Sequence, residues 1–238
     1  MYKAETFQFP GRWVGGTSMI LGPFLLLAGS LLRIQFHFFF PDQLKAFDEY
    51  PTLITTSYNL FLAGNILLWP AISVLAQLIG QTKPGWATWG GTFVMLGLFA
   101  RTFHYGINHL AFQLVEVQNL QLATKAVADS YGAFHIVATL SAAILFGWII
   151  LAIGAYLYGV LNLLRSIALG TMSVLMLGVL KGSSLASVLA TAGLCTALIP
   201  LGVQILRSGP APGQRSIWSW SALMAGLIAL MYFLGQAG

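Results

Sequence analysis

The sequence predicts an all-α fold, a polytopic transmembrane helix bundle of seven spans, with the N-terminus cytoplasmic and the C-terminus outside. Three observations predict it. Of 238 residues, 58% are hydrophobic and 7% charged, with a mean hydropathy of +0.82; a soluble domain carries roughly 25% charged residues, so this composition cannot cover a water-exposed surface. Apolar runs of about 20 residues, the length that crosses a hydrocarbon core, recur along the chain. Lys and Arg outside those runs are unequally shared between the two sides, which sets orientation.

Seven runs qualify in order, at 14–38, 53–80, 86–115, 132–158, 163–181, 184–206 and 217–236. The first follows the mixed polar start MYKAETFQFPGRW and is too long for a signal-peptide core, so it is expected to stay as a membrane helix. The fifth, bounded by Arg165 and Lys181, is the weakest; as a re-entrant piece it would leave six spans. Pro84, Pro210 and Pro212 mark turns, whereas Pro23, Pro70 and Pro200 lie inside spans, where neighbouring helices and water re-satisfy the freed carbonyls. With seven spans, Lys3, Arg12, Lys83, Arg165, Arg207 and Arg215 share the cytoplasmic side, and Lys45, Lys125 and Lys181 face outward. Asp42, Asp48, Glu49, Glu116 and Asp129 also fall outside, which adds little because acids are weak topology signals.

No internal repeat or low-complexity tract divides the chain, so residues 1–238 form one integral membrane domain. Its chemistry is uneven. Spans one to four (about 14–158) hold every histidine and the intramembrane asparagines, and are expected to form a polar pocket. Spans five to seven (about 163–236) read as apolar scaffold whose small residues allow close helix approach. The lone Cys195 excludes an intrachain disulfide and reads as a small buried residue.

The third span carries the densest chemistry, in LFARTFHYGINHLAF. With Arg101 at zero on a helical wheel, His104 falls at about −60°, Asn108 at −20°, Tyr105 at +40°, Glu116 at +60° and His109 at +80°. One face is therefore polar and should look into the bundle. Arg101 lies near the midplane, where an arginine costs at least ~2.5–3.5 kcal/mol and needs a partner or a task. Proximity to Arg101 favours a neutral His104, able to accept a hydrogen bond or ligate a metal. His104 and His109 point about 140° apart, so these two alone do not make a metal site.

Under this topology other polar residues meet that stripe in the outer half. The first span ends with Arg33 and His37, and the second begins with Tyr58, Asn59 and Asn65. The fourth opens SYGAFHIV, bringing Tyr131 and His135. Polar residues at span ends also snorkel to headgroups, the alternative reading for Arg33, His37 and His135.

No phosphate-binding loop, HExxH, CxxC or paired-aspartate motif is present, and no Lys/Arg cluster tracks nucleic acid. No carboxylate lies deep in a span, which argues against an acidic proton relay. What remains is an outward-opening cationic and aromatic pocket for an amphipathic ligand: a lipid, a quinone or an isoprenoid. It would act as a binder or as an enzyme on that ligand, with His104 as general acid or base and Arg101 and Asn108 stabilising negative charge. Arg33, His37, Tyr58, Asn59, Asn65, Tyr105, His109, Tyr131 and His135 would line the ligand. Two alternatives stand: a haem or metal ion held across helices by His104 or His109 with His135, and a non-catalytic accessory or immunity subunit of a membrane complex. Expected partners are membrane lipids, the ligand, and a second copy or a complex partner.

Three stretches, GRWVGGTSMILGPFLLLAG, YGAFHI and AYLYGVLNLLRSIALG, resemble an uncharacterised family of small multi-spanning bacterial membrane proteins. That resemblance implies the architecture and a multi-pass place in a bacterial cell membrane, not an activity. The layout is also similar to the adiponectin-receptor-like hydrolases, but the last span has no histidine and so lacks their HxxxH; their zinc chemistry is not carried over.

Overall fold

Glycine and proline placement decides how the helices start, stop and approach one another. The computed structural model describes residues 9–133, 135–175 and 177–236. Lys3 and the first residues of the polar start lie outside the described residues. Among the described residues the helices are α1 (Arg12–Leu32), α2 (Asp42–Glu49), α3 (Pro51–Gly80), α4 (Pro84–Val117), α5 (Leu120–Ser130), α6 (Leu140–Leu157), α7 (Leu163–Gly170), α8 (Leu185–Arg207) and α9 (Gln214–Gln236). Short 3-10 turns precede α6 at Ile136–Thr139 and follow α7 at Thr171–Val174. Pro51 and Pro84 open α3 and α4, where their missing N–H costs no helical bond. Ser184 and Ser187 form a reciprocal cap at the start of α8.

The chain is all-α, and five of its helical segments are long and apolar enough to cross a membrane: Arg12–Leu32, Pro51–Gly80, Ile136–Leu157, Leu185–Arg207 and Gln214–Gly235. At 34 residues α4 is longer still, but its polar stripe lowers its hydropathy. α1 runs antiparallel to α3, with Gly15 against Val74, Gly22 against Gly64, and Gly29 against Ser57 and Phe61. A Cβ on Gly64 would come within 2.7 Å of the Gly22 carbonyl, so the two backbones meet there directly. α4 packs antiparallel on α3 and on α6, and α1 also lies along α8, where Gly16 meets Gly202. Met19, Leu26, Leu68, Leu98, Trp148 and Leu194 are fully buried in the resulting core.

Three features differ from the sequence reading. The first span stops at Leu32 instead of 38, because the aromatic run after Arg33 leads through Pro41 into α2, a short amphipathic cap. The run at 163–181 is not one helix: it is α7, a 3-10 turn, and an unwound stretch to Ser184. Arg165 is not a loop charge either, since its guanidinium donates to the carbonyl of Ala197 (Nη2–O 2.7 Å), halfway along α8. α9 stands apart, with every side chain from 214 to 235 exposed.

Candidate functional site

The unwound stretch after α7 forms the wall of a cavity, and the polar face of α4 holds it there. Non-helical backbone at membrane depth must be satisfied by protein or water. Here side chains from three places do it. The Asn108 Oδ1 accepts the Leu180 N–H at 2.7 Å, and Arg101 Nη2 donates to the Leu175 carbonyl at 3.3 Å. The Tyr58 hydroxyl donates to the Lys181 carbonyl at 3.1 Å, and the Tyr131 hydroxyl to that of Val179 at 3.2 Å.

The cavity has a volume of about 50 Å³ and lies between α1, α3, α4 and this wall. Arg33, Arg101 and Lys181 line it, and none of its lining residues is Asp or Glu. Both arginines are buried, at 4% and 7% exposure. They flank the Phe61 ring, with Cζ at 4.5 Å for Arg33 and 5.7 Å for Arg101. These distances to one ring hold the guanidiniums within about 10 Å of each other, a spacing at which like charges deep in a protein are poorly screened. Among the described residues neither arginine has a carboxylate partner: ion pairs join only Asp42 to His37 and to Lys45. Arg33 Nε, Arg101 Nη1 and Asn65 Oδ1 are buried without hydrogen-bond partners, and all three residues line the cavity. His104 lines it too; its Nδ1 lies near the Ala100 carbonyl of its own helix but outside hydrogen-bond geometry. α8 begins beside the cavity at Ser187, adding the positive end of its dipole.

Toward α2 the cavity is roofed. Gly182 donates its N–H to the Phe38 carbonyl at 2.8 Å, and the Tyr58 hydroxyl also reaches Gln43 Oε1 at 3.0 Å. Lys181 Nζ lies 4.7 Å from the centre of the Phe39 ring.

Of the residues expected at the site, Arg33, Tyr58, Asn65, Arg101, His104, Tyr105 and Asn108 line this cavity. Four do not. His37 is exposed and pairs with Asp42, and His109 is exposed on the outer flank of α4. Asn59 is exposed and accepts the Tyr105 hydroxyl. Tyr131 and His135 border a separate groove with Phe103, Ile107 and Leu114. The His104 and His135 rings do meet, at 5.8 Å between centroids, but among the described residues no group of three His, Cys, Asp or Glu gathers to complete a metal site. Nor is the polar pocket confined to residues 14–158, because Leu175, Leu177, Gly178, Lys181, Gly182 and Ser187 wall it. Sequence reading took those residues for scaffold; the signal was the pair Gly178 and Gly182 around Lys181, interrupting an apolar run.

Comparison with protein-family models, curated proteins and solved structures found no match to this chain.

Proposed function

We propose that this protein binds the anionic head of an amphipathic membrane ligand in the cavity between α3, α4 and the unwound wall. The observation that carries the reading is the convergence of Arg33, Arg101 and Lys181 on one buried space with no acidic lining residue, two of the cations keeping an unpartnered N–H. Unpaired buried charge is costly, and an anion removes that cost while satisfying the free donors. The Asn65 oxygen and His104 complete the lining on the α3 and α4 sides.

Membrane placement belongs to the same proposal. α6 ends and α8 begins at opposite ends of the bundle, so α7 and the unwound stretch together make one discontinuous crossing. With α4 and the five long apolar segments, the chain crosses seven times. Arg12, Lys83, Arg207 and Arg215 gather at the end away from the cavity, which makes that end cytoplasmic. The cavity then lies in the outer half of a cell membrane.

Binding is the role the side chains support best, because Asn108 and one arm of Arg101 are already engaged with the wall. His104 would be the proton-transferring group of an enzymatic version. The test is lipid extraction and mass analysis of gently purified protein. A stoichiometric anionic lipid, lost from the Arg33→Gln/Arg101→Gln double variant, is the expected result. A protein carrying no anionic lipid and unable to take one up would overturn it. A Soret band in the same preparation would move the reading to the His104–His135 pair.

A further inference from the structure

Resting on the anion-pocket reading above, we infer that the ligand is a phosphate-headed lipid with one long chain, admitted sideways between α3 and α4 and laid along their outer seam. Three observations lead there: the size and charge of the cavity, its roof, and a groove that continues from it.

The head comes first. A volume of about 50 Å³ holds a few waters or one compact group. A choline ester or a sugar does not fit. Two arginines and a lysine favour an anion carrying more than one charge, and a phosphate monoester carries about −1.5 to −2 at pH 7. Its three oxygens accept from several N–H groups together, as the open Arg33 Nε and Arg101 Nη1 require.

The route comes second. The end toward α2 is closed by Phe38, Gly182 and the Tyr58–Gln43 contact. On the α3–α4 side the closure is lighter. Two polar bridges tie those helices: the Tyr105 hydroxyl donates to Asn59, and Asn65 Nδ2 donates to the Leu98 carbonyl and to Thr102 Oγ1, both at 3.0 Å. Between the bridges stands Leu62, which lines the cavity and is half-buried, as is Tyr105. Thr102 and Gly106 beside them are exposed, and a Cβ on Gly106 would meet nothing within 4 Å. Leu62 is a movable apolar shutter in a polar frame.

The chain comes third. One turn beyond Asn65 the same seam opens into an apolar groove of about 770 Å³, bordered by Trp69, Ser73, Thr92, Met95, Leu96 and Phe99. Volumes of about 300–1,000 Å³ are typical of ligand sites. From Leu62 down α3 to Gln77, where the groove ends, is a path of about 22 Å. Head and groove share one seam, so a single molecule with an anionic end and a long apolar tail matches both. Its tail would point from the outer half toward the cytoplasmic end, as a lipid of the outer leaflet does.

The test titrates purified full-length protein, in a neutral detergent, with inorganic phosphate, hexyl phosphate and dodecyl phosphate, and reads affinity by native mass spectrometry. The expected order is dodecyl over hexyl over inorganic phosphate, each step on the order of tenfold or more, since each buried methylene adds affinity. Thr92→Trp, an exposed position whose new ring would fill the groove, should cancel the dodecyl advantage and leave hexyl phosphate unchanged. Leu62→Trp should slow uptake of both alkyl phosphates. Equal affinity for all three anions in the unaltered protein would overturn the lipid and leave an inorganic-phosphate site. Tight dodecyl phosphate binding insensitive to Thr92→Trp would overturn the groove. No binding of any of the three, or binding unchanged by Arg101→Gln, would overturn the anion pocket itself.

Discussion

The side-chain oxygen of Asn108 accepts the backbone N–H of Leu180 at 2.7 Å, joining the middle of α4 to an unwound stretch 72 positions away. That bond explains why a membrane helix carries an asparagine there: the amide of a broken helix has no intrahelical acceptor and no water to turn to. Asn108→Leu strands the Leu180 N–H and should lower stability by about 1–3 kcal/mol. Asn108→Asp keeps an acceptor and should lose much less. Thermal unfolding of the two variants in detergent reads the difference.

The roof makes a sharper demand on size. A Cβ on Gly182 would sit 2.5 Å from Gln43 Nε2 and 3.0 Å from the Phe38 Cα, so one of those neighbours must move. Gly182→Ala is expected to destabilise by about 1–3 kcal/mol and to speed ligand exchange by lifting Phe38. Gly106→Ala is the control. It meets nothing within 4 Å and should gain up to about 1 kcal/mol from helix propensity. Melting temperatures of both variants, with exchange rates for Gly182→Ala, check the pair.

α9 contributes no buried side chain to the bundle from 214 to 235. A chain ending after residue 212 should therefore keep its melting temperature and its ligand affinity. A drop of more than a few degrees would show that α9 packs on the bundle in the membrane.

Orientation has its own check. Lys45 in α2 and Lys83 before α4 are both exposed, at opposite ends of the bundle. In a Cys195→Ala background, Lys45→Cys should react with an impermeant maleimide in intact cells. Lys83→Cys should react only after permeabilisation. The reverse pattern would invert the proposed topology.

Much of this architecture could be read before any coordinates. Long apolar runs placed α1, α3, α4, α6, α8 and α9 to within a few residues, because hydropathy is strong where the solvent is lipid. The helical wheel also found the cavity side of α4: Arg101, His104 and Asn108, within about 60° of one another, are all buried there. It set the arc too wide at its far edge, where His109 at about +80° is exposed. A wheel gives direction but not where the neighbouring helix ends. The fifth run was hidden for another reason. Leu175 to Gly182 is apolar enough to pass for helix, and its unwinding depends on Arg101, Asn108, Tyr58 and Tyr131, which are remote in sequence. α2 and α5 escaped notice because short amphipathic caps of 8 and 11 residues carry little hydropathy signal.

The central claim is that Arg33, Arg101 and Lys181 wait for an anion. The most direct measurement exposes delipidated protein to equal concentrations of dodecyl phosphate and dodecyltrimethylammonium and counts retained adducts by native mass spectrometry. The account predicts one phosphate adduct per chain, no ammonium adduct, and loss of the phosphate adduct in the Arg33→Gln/Arg101→Gln variant at unchanged helical content. Equal retention of the two amphiphiles, or a phosphate adduct that survives the double substitution, would contradict it.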